Sequence, residues 1–177
     1  GRSTAKEGKE RKEEGEEMDK VIEDSMAIIN LYPEIFPHMY KQGFRLIKRI
    51  KNGNLILQDG VVITFHQYSG STPVTRNSRT KAKPKAFIIH QIASDRKIVG
   101  ATKKVLDEFV TYCKSKGAPN ILLTVRSFNS RARIFYERYG FKFVEETHWT
   151  SKADGIIPGV VYRYPLQTIK TEQFFKY

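Results

Sequence analysis

The chain has a single cysteine, Cys113, among 177 residues, which leaves no internal disulfide and no metal site built on several thiolates. Its four histidines are scattered and lack close acidic partners, so no metal ion is expected. No apolar run approaches the roughly 20 residues of a membrane-spanning helix, and no membrane partner is expected. The opening Gly1-Arg2-Ser3-Thr4 leads into alternating charges, so the expectation is a chain without a secretory signal, residing in the cytoplasm.

Acidic residues are also scarce, and unevenly so. Lys plus Arg is 31 against 19 Asp plus Glu, a net charge of +12. Residues 1–24 hold six basic and nine acidic side chains, so residues 25–177 hold 25 basic against 10 acidic, net +15. Such a field favours an anionic partner, whether nucleic acid, an acidic protein surface or a polyphosphate cofactor, without choosing among them. The stretch from Tyr68 to Lys85 has no acid at all and carries Arg76, Arg79, Lys81, Lys83 and Lys85 among Gly, Ser, Thr and Pro. It reads as a loop and is the candidate surface for a polyanionic substrate or nucleic acid.

What is present is the balance of a globular protein: 40% hydrophobic, 12% aromatic and 28% charged, enough for one domain with appendages. Residues 1–20 read as a charged, partly helical tail. Residues 21–40 read as an amphipathic helix and its connection, with Met18, Val21, Ile22, Met26, Ile28 and Ile29 at helical spacing and Pro33 and Pro37 ending the pattern. An antiparallel meander of three strands is expected next. Phe44, Leu46 and Ile50 begin it, Asn52-Gly53 and Asp59-Gly60 are its turns, and Val61 to Phe65 complete it.

Phe87 to Ile92 has the composition of a buried strand. After Ser94-Asp95-Arg96-Lys97, a helix with the stripe Val105, Leu106, Phe109, Val110 and Cys113 runs to Lys116-Gly117. Ile121 to Val125 is a strand, Asn129 to Tyr139 a helix stopped by Gly140, and Phe141 to Glu145 and Val160 to Tyr164 two further strands. The pattern is a mixed α/β sheet over residues 41–166, followed by a tail at 167–177.

The segment Asn129-Ser130-Arg131-Ala132-Arg133-Ile134-Phe135-Tyr136-Glu137-Arg138-Tyr139-Gly140-Phe141 closely resembles the Asn-x-x-Ala-x-x-x-Tyr-x-x-x-Gly-Phe signature of the GCN5-related N-acetyltransferases, the GNAT superfamily. Upstream, Lys97-Ile98-Val99-Gly100-Ala101-Thr102 stands where that family keeps Gln/Arg-x-x-Gly-x-Gly/Ala, with Lys replacing Gln/Arg and Thr replacing the last glycine. The similarity spans roughly Phe44 to Tyr164.

The resemblance implies a GNAT-like fold and a coenzyme-A-dependent acyltransferase that uses acetyl-CoA, or another acyl-CoA, on an amine-bearing substrate by direct attack. It implies cofactor contacts at Ile92, Lys97, Ile98, Val99, Gly100, Ala101, Thr102 and Asn129. A loop that opens a helix offers unpaired N–H groups and a positive dipole end, which suit a pyrophosphate. Arg96, Lys97, Lys103 and Lys104 add positive charge there, and Asn129 is at the same time a good helix cap. Tyr136 falls where the family places a phenol near the thioester sulfur; a phenol of pKa about 10 can protonate a thiolate of pKa about 8.5.

His90 is the candidate general base, with His66 and Asp95 as runners-up, and oxyanion donors are expected around His90, Gln91 and Ile92. His148 beside Trp149 is a candidate pocket wall. A phage-encoded, Mom-like branch of the superfamily modifies DNA bases, and the altered pyrophosphate loop is compatible with it. The alternative reading is a degenerate GNAT-like module that binds nucleic acid or a larger assembly, with Phe174-Phe175-Lys176-Tyr177 as a docking end. The acceptor and the oligomeric state stay open.

Overall fold

The computed structural model describes residues 2–36, 46–152 and 154–166. The strand start expected at Phe44, the stop at Pro37 and the tail at 167–177 fall outside the described residues. No described helix is long and apolar enough to cross a membrane. Among the described residues, six strands form one mixed sheet in the order β1 (Leu55–Gln58), β2 (Val61–Gln67), β5 (Phe87–Ser94), β6 (Asn120–Arg126), β8 (Gly155–Pro165), β7 (Lys142–Ser151), and two short strands, β3 (Thr72–Pro73) and β4 (Lys81–Ala82), form a separate hairpin. The chain divides into two compact units, Gly1–Phe65 with Gln91–Val105, and His66–His90 with Leu106–Tyr177.

The first unit begins with α1 (Arg2–Ile29), a single helix that runs through the charged segment without a break at residue 20. Residues 4–17 are exposed along it, and burial begins at Met18 and deepens through Val21, Ile22, Ser25, Ile28 and Ile29. Only the last three turns therefore have an apolar face to bury. Ile28 and Ile29 join Leu46, Val62 and Ala93 in a buried cluster, with Tyr32, Phe36, Ile50, Leu55 and Leu57 packed around it.

The expected three-stranded meander is a hairpin preceded by a helical turn. Residues 46–51 are helical, and Asn52-Gly53 closes that turn: Asn52 N–H donates to the Lys48 carbonyl at 3.0 Å and Gly53, at φ 72°, donates to that of Ile50 at 3.1 Å. Leu46 and Ile50 lie four residues apart, so one helical face buries both. Asn-Gly serves equally as a helix end and as a hairpin turn, which is why the local pattern misleads here. The hairpin itself follows as β1 (Leu55–Gln58) and β2 (Val61–Gln67), in antiparallel register from Leu55 opposite Thr64 to Gln58 opposite Val61.

In the second unit, β3 (Thr72–Pro73) and β4 (Lys81–Ala82) make the basic segment a short ordered arm. β5 (Phe87–Ser94) begins in this unit and pairs in parallel with β6 (Asn120–Arg126), Phe87 opposite Ile121 through Ile89 opposite Leu123. Parallel neighbours need a crossover, and α2 (Ala101–Ser115) provides it. After α3 (Ser130–Tyr139), β7 (Lys142–Ser151) and β8 (Gly155–Pro165) form a long hairpin, with β8 inserted between β6 and β7. Val160, Val161 and Tyr162 of β8 are all buried, as befits a strand covered on both faces.

β7 is the outer strand. A register shift between Phe143 and Glu145 interrupts its ladder, a bulge of the kind that blunts an exposed edge. The arm also lies on it. Glu145 accepts the N–H groups of Arg79 and Thr80 at 3.3 and 3.0 Å, Thr75 and Thr147 share a hydroxyl bond at 3.0 Å, and Asn77 donates to the His148 carbonyl at 3.2 Å.

Two outcomes follow from this packing. A Cβ added at Gly159 would lie 2.2 Å from the Trp149 ring, so the ring has to move in Gly159→Ala. A loss of about 1–3 kcal/mol is expected, read as a melting point several degrees lower; an unchanged melting point would show that Trp149 yields without cost. Cys113 is buried in α2, and burial pushes its thiol up to about 12. At pH 8 about one thiol in ten thousand is ionised, so iodoacetamide should label it only after denaturation.

Candidate functional site

The loop that opens α2 belongs to the first unit, and its shape comes from short polar side chains. Ser94 Oγ accepts the Arg96 N–H at 3.0 Å, and Asp95 Oδ1 accepts the Lys97 N–H at 3.0 Å. The Asp95 N–H donates to the Gly60 carbonyl at 2.9 Å. Gly60 has a φ of 74°, and a Cβ there would fall 2.3 Å from Asp95 Oδ1, so glycine is required in the β1–β2 turn by the loop it supports. Tyr32 hydroxyl donates to the Ser94 carbonyl, and the Arg96 guanidinium lies over the Tyr32 ring at 5.1 Å.

Arg96 and Gly100 both take left-handed backbone, at φ 61° and 77°. A Cβ at Gly100 would meet nothing within 4 Å, so within the chain the glycine is explained by its backbone angle and not by crowding. The N–H groups of Ile98, Val99 and Gly100 make no bond to other described residues, while Ala101 N–H turns back to Ile98 and Lys104 N–H to Gly100. Ile98 and Val99 are 53% and 101% exposed, Lys97 is exposed, and in the first turn of the helix Ala101 is buried and Thr102 half-buried. Of the four cations expected here, Arg96 is engaged by Tyr32 and Lys104 pairs with Asp59 at 3.0 Å.

Asp95, a runner-up base, is committed to holding this loop. Gln91 is committed as well. Its N–H donates to Thr64 Oγ1 at 3.0 Å, and its Oε1 accepts from Arg49 Nη1 at 2.9 Å and from the Thr64 hydroxyl. The expected oxyanion donor at Gln91 is thus occupied by a side chain that the sequence reading left out. Ile92, next on β5, is half-buried.

In the second unit, His90 of β5 and His66 of β2 meet, His66 Nδ1 lying 2.5 Å from His90 Nε2, with the ring centroids 4.7 Å apart and the ring planes inclined by 26°. The two residues expected as base and runner-up are therefore one pair. Tyr68 abuts His66 edge-on at 4.6 Å, and burial raises its phenol above the ordinary tyrosine range.

Helix α3 carries the remaining expected residues. Asn129 caps it, Oδ1 accepting the Ala132 N–H at 3.4 Å. Gly140 ends it at φ 122°, with its N–H bonded to Tyr136 and Glu137 carbonyls. Tyr136 is buried among Phe135, Phe141 and Tyr162 at ring separations of 5.8, 5.6 and 6.3 Å. Desolvation raises its phenol far above the ordinary value, so it holds its proton throughout the physiological range.

A three-residue network escaped the sequence reading. Tyr162 hydroxyl donates to Glu137 Oε1 at 2.7 Å and accepts from Arg133 Nε at 3.1 Å, and Arg133 Nη1 also reaches the Ser127 carbonyl at 3.1 Å. The i,i+4 placement of Arg133 and Glu137 was a visible signal, but Tyr162 comes from β8. Tyr139 donates to Asp107 at 2.7 Å, which ties α3 to α2 within this unit. His148 and Trp149 are half-buried on β7, His148 lending its carbonyl to Asn77 and Trp149 covering Gly159. Arg76, Arg79, Lys81, Lys83 and Lys85 are all exposed on or beside the arm. Among the described residues no group of three or more His, Cys, Asp or Glu side chains is disposed to hold a metal ion.

No known family profile matches the sequence, and no curated protein is detectably similar to it. Solved structures do match. Naa20 of Chaetomium thermophilum, in complex with a bisubstrate analogue, is 19% identical with a TM-score of 0.61 over 80% of each chain. A GNAT-family acetyltransferase from Listeria monocytogenes is 15% identical with a TM-score of 0.59, covering 84% of this chain and 89% of that one. Arabidopsis thaliana NAA60, also with a bisubstrate analogue, is 16% identical with a TM-score of 0.57, covering 82% of this chain and 95% of that one. The chain accordingly has the GNAT acetyltransferase fold.

Proposed function

We propose that this chain is an acetyl-CoA-dependent N-acetyltransferase acting on an amine. The observation that carries the reading is the loop from Lys97 to Thr102, where the consecutive N–H groups of Ile98, Val99 and Gly100 at a helix start have no partner among the described residues and Gly100 takes left-handed backbone. Such a run of unpartnered N–H groups at a helix start suits a diphosphate, and the exposed Lys97 adds charge beside it. When bound, coenzyme A supplies an activated acetyl thioester. Ile98, Val99, Gly100, Ala101 and Thr102 would hold its diphosphate, with Ile92 as a further contact.

The chain's own residues handle the protons. His90 takes a proton from the substrate ammonium so that the amine lone pair can attack. Tyr136 gives its proton to the departing thiolate. The GNAT fold of the solved structures, two of them with bisubstrate analogues, supports the class of reaction. The acceptor is not named by it.

A second reading concerns the acceptor. The arm presents five cations with no acid among them, and bonds to Glu145, Thr147 and His148 order it on β7. An ordered cationic arm fits a polyanionic acceptor or partner, and nucleic acid is the partner that the Mom-like resemblance suggests.

Saturating acetyl-CoA should raise the melting temperature of the wild-type chain, by about 2–3 kcal/mol of added stability at a hundredfold excess over Kd. Gly100→Val should abolish most of that shift because a β-branched residue cannot hold the left-handed angle without strain. Tyr136→Phe should keep the shift and lower turnover at least about tenfold; loss of both together would make the phenol a packing group. If acetyl-CoA leaves melting unmoved, the proposal fails.

For the arm, neutralising Arg76, Arg79, Lys81, Lys83 and Lys85 should flatten the salt dependence of retention on immobilised DNA, by a slope of up to about four if each cation meets a phosphate. An unchanged slope removes the arm from nucleic-acid binding.

A further inference from the structure

Two histidines separated by 24 residues share a hydrogen bond in the second unit. His66 is the penultimate residue of β2, and His90 lies midway along β5, its neighbour in the sheet. Tyr68 meets His66 edge-on and belongs to the buried cluster of Val74, Ala82, Ala86, Ile88, Leu122 and Val161. Its backbone is bonded to Ala86 and Lys85 at 2.8 Å each. The core thus holds Tyr68, Tyr68 holds the His66 ring, and His66 meets His90.

Two imidazole nitrogens can face each other at this distance only if one carries the hydrogen and the other a lone pair. The tautomers are therefore coupled. If His90 Nε2 donates to His66 Nδ1, the basic lone pair of His90 is on Nδ1. If instead His66 Nδ1 donates, His90 Nδ1 carries a hydrogen and has nothing with which to accept a proton. A proton gained at Nδ1 of His90 turns the Nε2–H to His66 bond into a charge-assisted one, which strengthens it.

We infer that His66 is a positioning residue for the base His90: it accepts the Nε2–H, selects the tautomer with a basic Nδ1, and shares the charge that develops. The inference rests on the acetyltransferase reading above. In the step it describes, the N–H bond of the substrate ammonium breaks and an N–H bond forms at His90 Nδ1, leaving the positive charge on the imidazole pair. The released lone pair forms the C–N bond to the acetyl carbon as the C–S bond breaks, the thiolate takes up the proton of Tyr136, and the second proton of the attacking nitrogen passes to the Tyr136 phenolate, leaving a neutral amide, a thiol and the phenol restored.

The test combines a spectroscopic and a kinetic readout on the full chain. With 15N-labelled histidine, two-bond imidazole correlations should show His90 in one tautomer, hydrogen on Nε2, in the wild type. His66→Phe should give a mixture of tautomers, and His66→Asn, whose amide oxygen can accept the same hydrogen bond, should restore one. In parallel, coenzyme A release is followed with acetyl-CoA and a pool of short peptides and polyamines as acceptor probes. His66→Phe should lower kcat at least about tenfold while KM for acetyl-CoA stays within about twofold, and His66→Asn should recover most of the loss.

An unchanged kcat in His66→Phe overturns the assignment, as does an Asn variant no better than Phe, or a His90 tautomer with hydrogen on Nδ1. If the wild type neither releases coenzyme A nor melts higher with acetyl-CoA, the enzymatic reading has failed and the catalytic assignment falls with it. The tautomer spectrum reports separately, in that case, on whether the imidazole contact exists. If His66→Phe does not fold, the Asn variant carries the comparison with the wild type.

Discussion

The Asp95 carboxylate is the constraint on which the candidate cofactor loop depends. It caps the Lys97 N–H from one side and lies in the space that a side chain at Gly60 would take from the other. A short acid at that position turns the chain sharply out of β5, and the left-handed Arg96 and Gly100 complete the turn into α2. The outcome is a run of N–H groups without partners among the described residues, at the positive end of a 15-residue helix. Such groups cost free energy when buried; here they are at the surface, with Val99 wholly exposed, so water or an anion can satisfy them.

Polar side chains inside the fold are used sparingly and nearly always satisfied. Thr64, fully buried, is closed by Gln91, and Arg49 reaches the same amide oxygen. Tyr162, also fully buried, is closed by Glu137 and Arg133. Among the described residues the exceptions are Ser25 Oγ and Asn120 Oδ1, which are buried without a hydrogen-bond partner. We have no structural account of either. The phenols of Tyr136, Tyr139 and Tyr162 all shift upward, burial being the first cause in each, so the aromatic cluster around α3 is a reservoir of held protons and not of anions.

The cationic arm and the outer strand protect each other. β7 offers its outer edge, and Glu145 uses it to accept two arm N–H groups that would otherwise be unpaired. In turn the arm and the bulge at Phe143 and Glu145 leave less of the edge for pairing with another chain. The same bonds explain why a segment without an apolar run of its own is ordered. Its residues Val74 and Ala82 are buried, while its five cations face outward.

Local features were legible from the sequence because their physics is local. The Asn129 cap, the Gly140 stop, the stripe of α2 and the buried strands need only the residues within one or two turns, and the structure has them where the pattern places them. The helical turn at 46–51 was misread because Asn52-Gly53 closes a helix or a hairpin equally well, and only the burial of Leu46 and Ile50 on one face decides. His66 beside His90, Gln91 sealed by Thr64, and Tyr162 between Arg133 and Glu137 were set by tertiary structure alone. Each joins strands or a strand and a helix that are distant in the chain, and strand neighbours are chosen by how whole apolar faces are buried, a quantity no short segment contains.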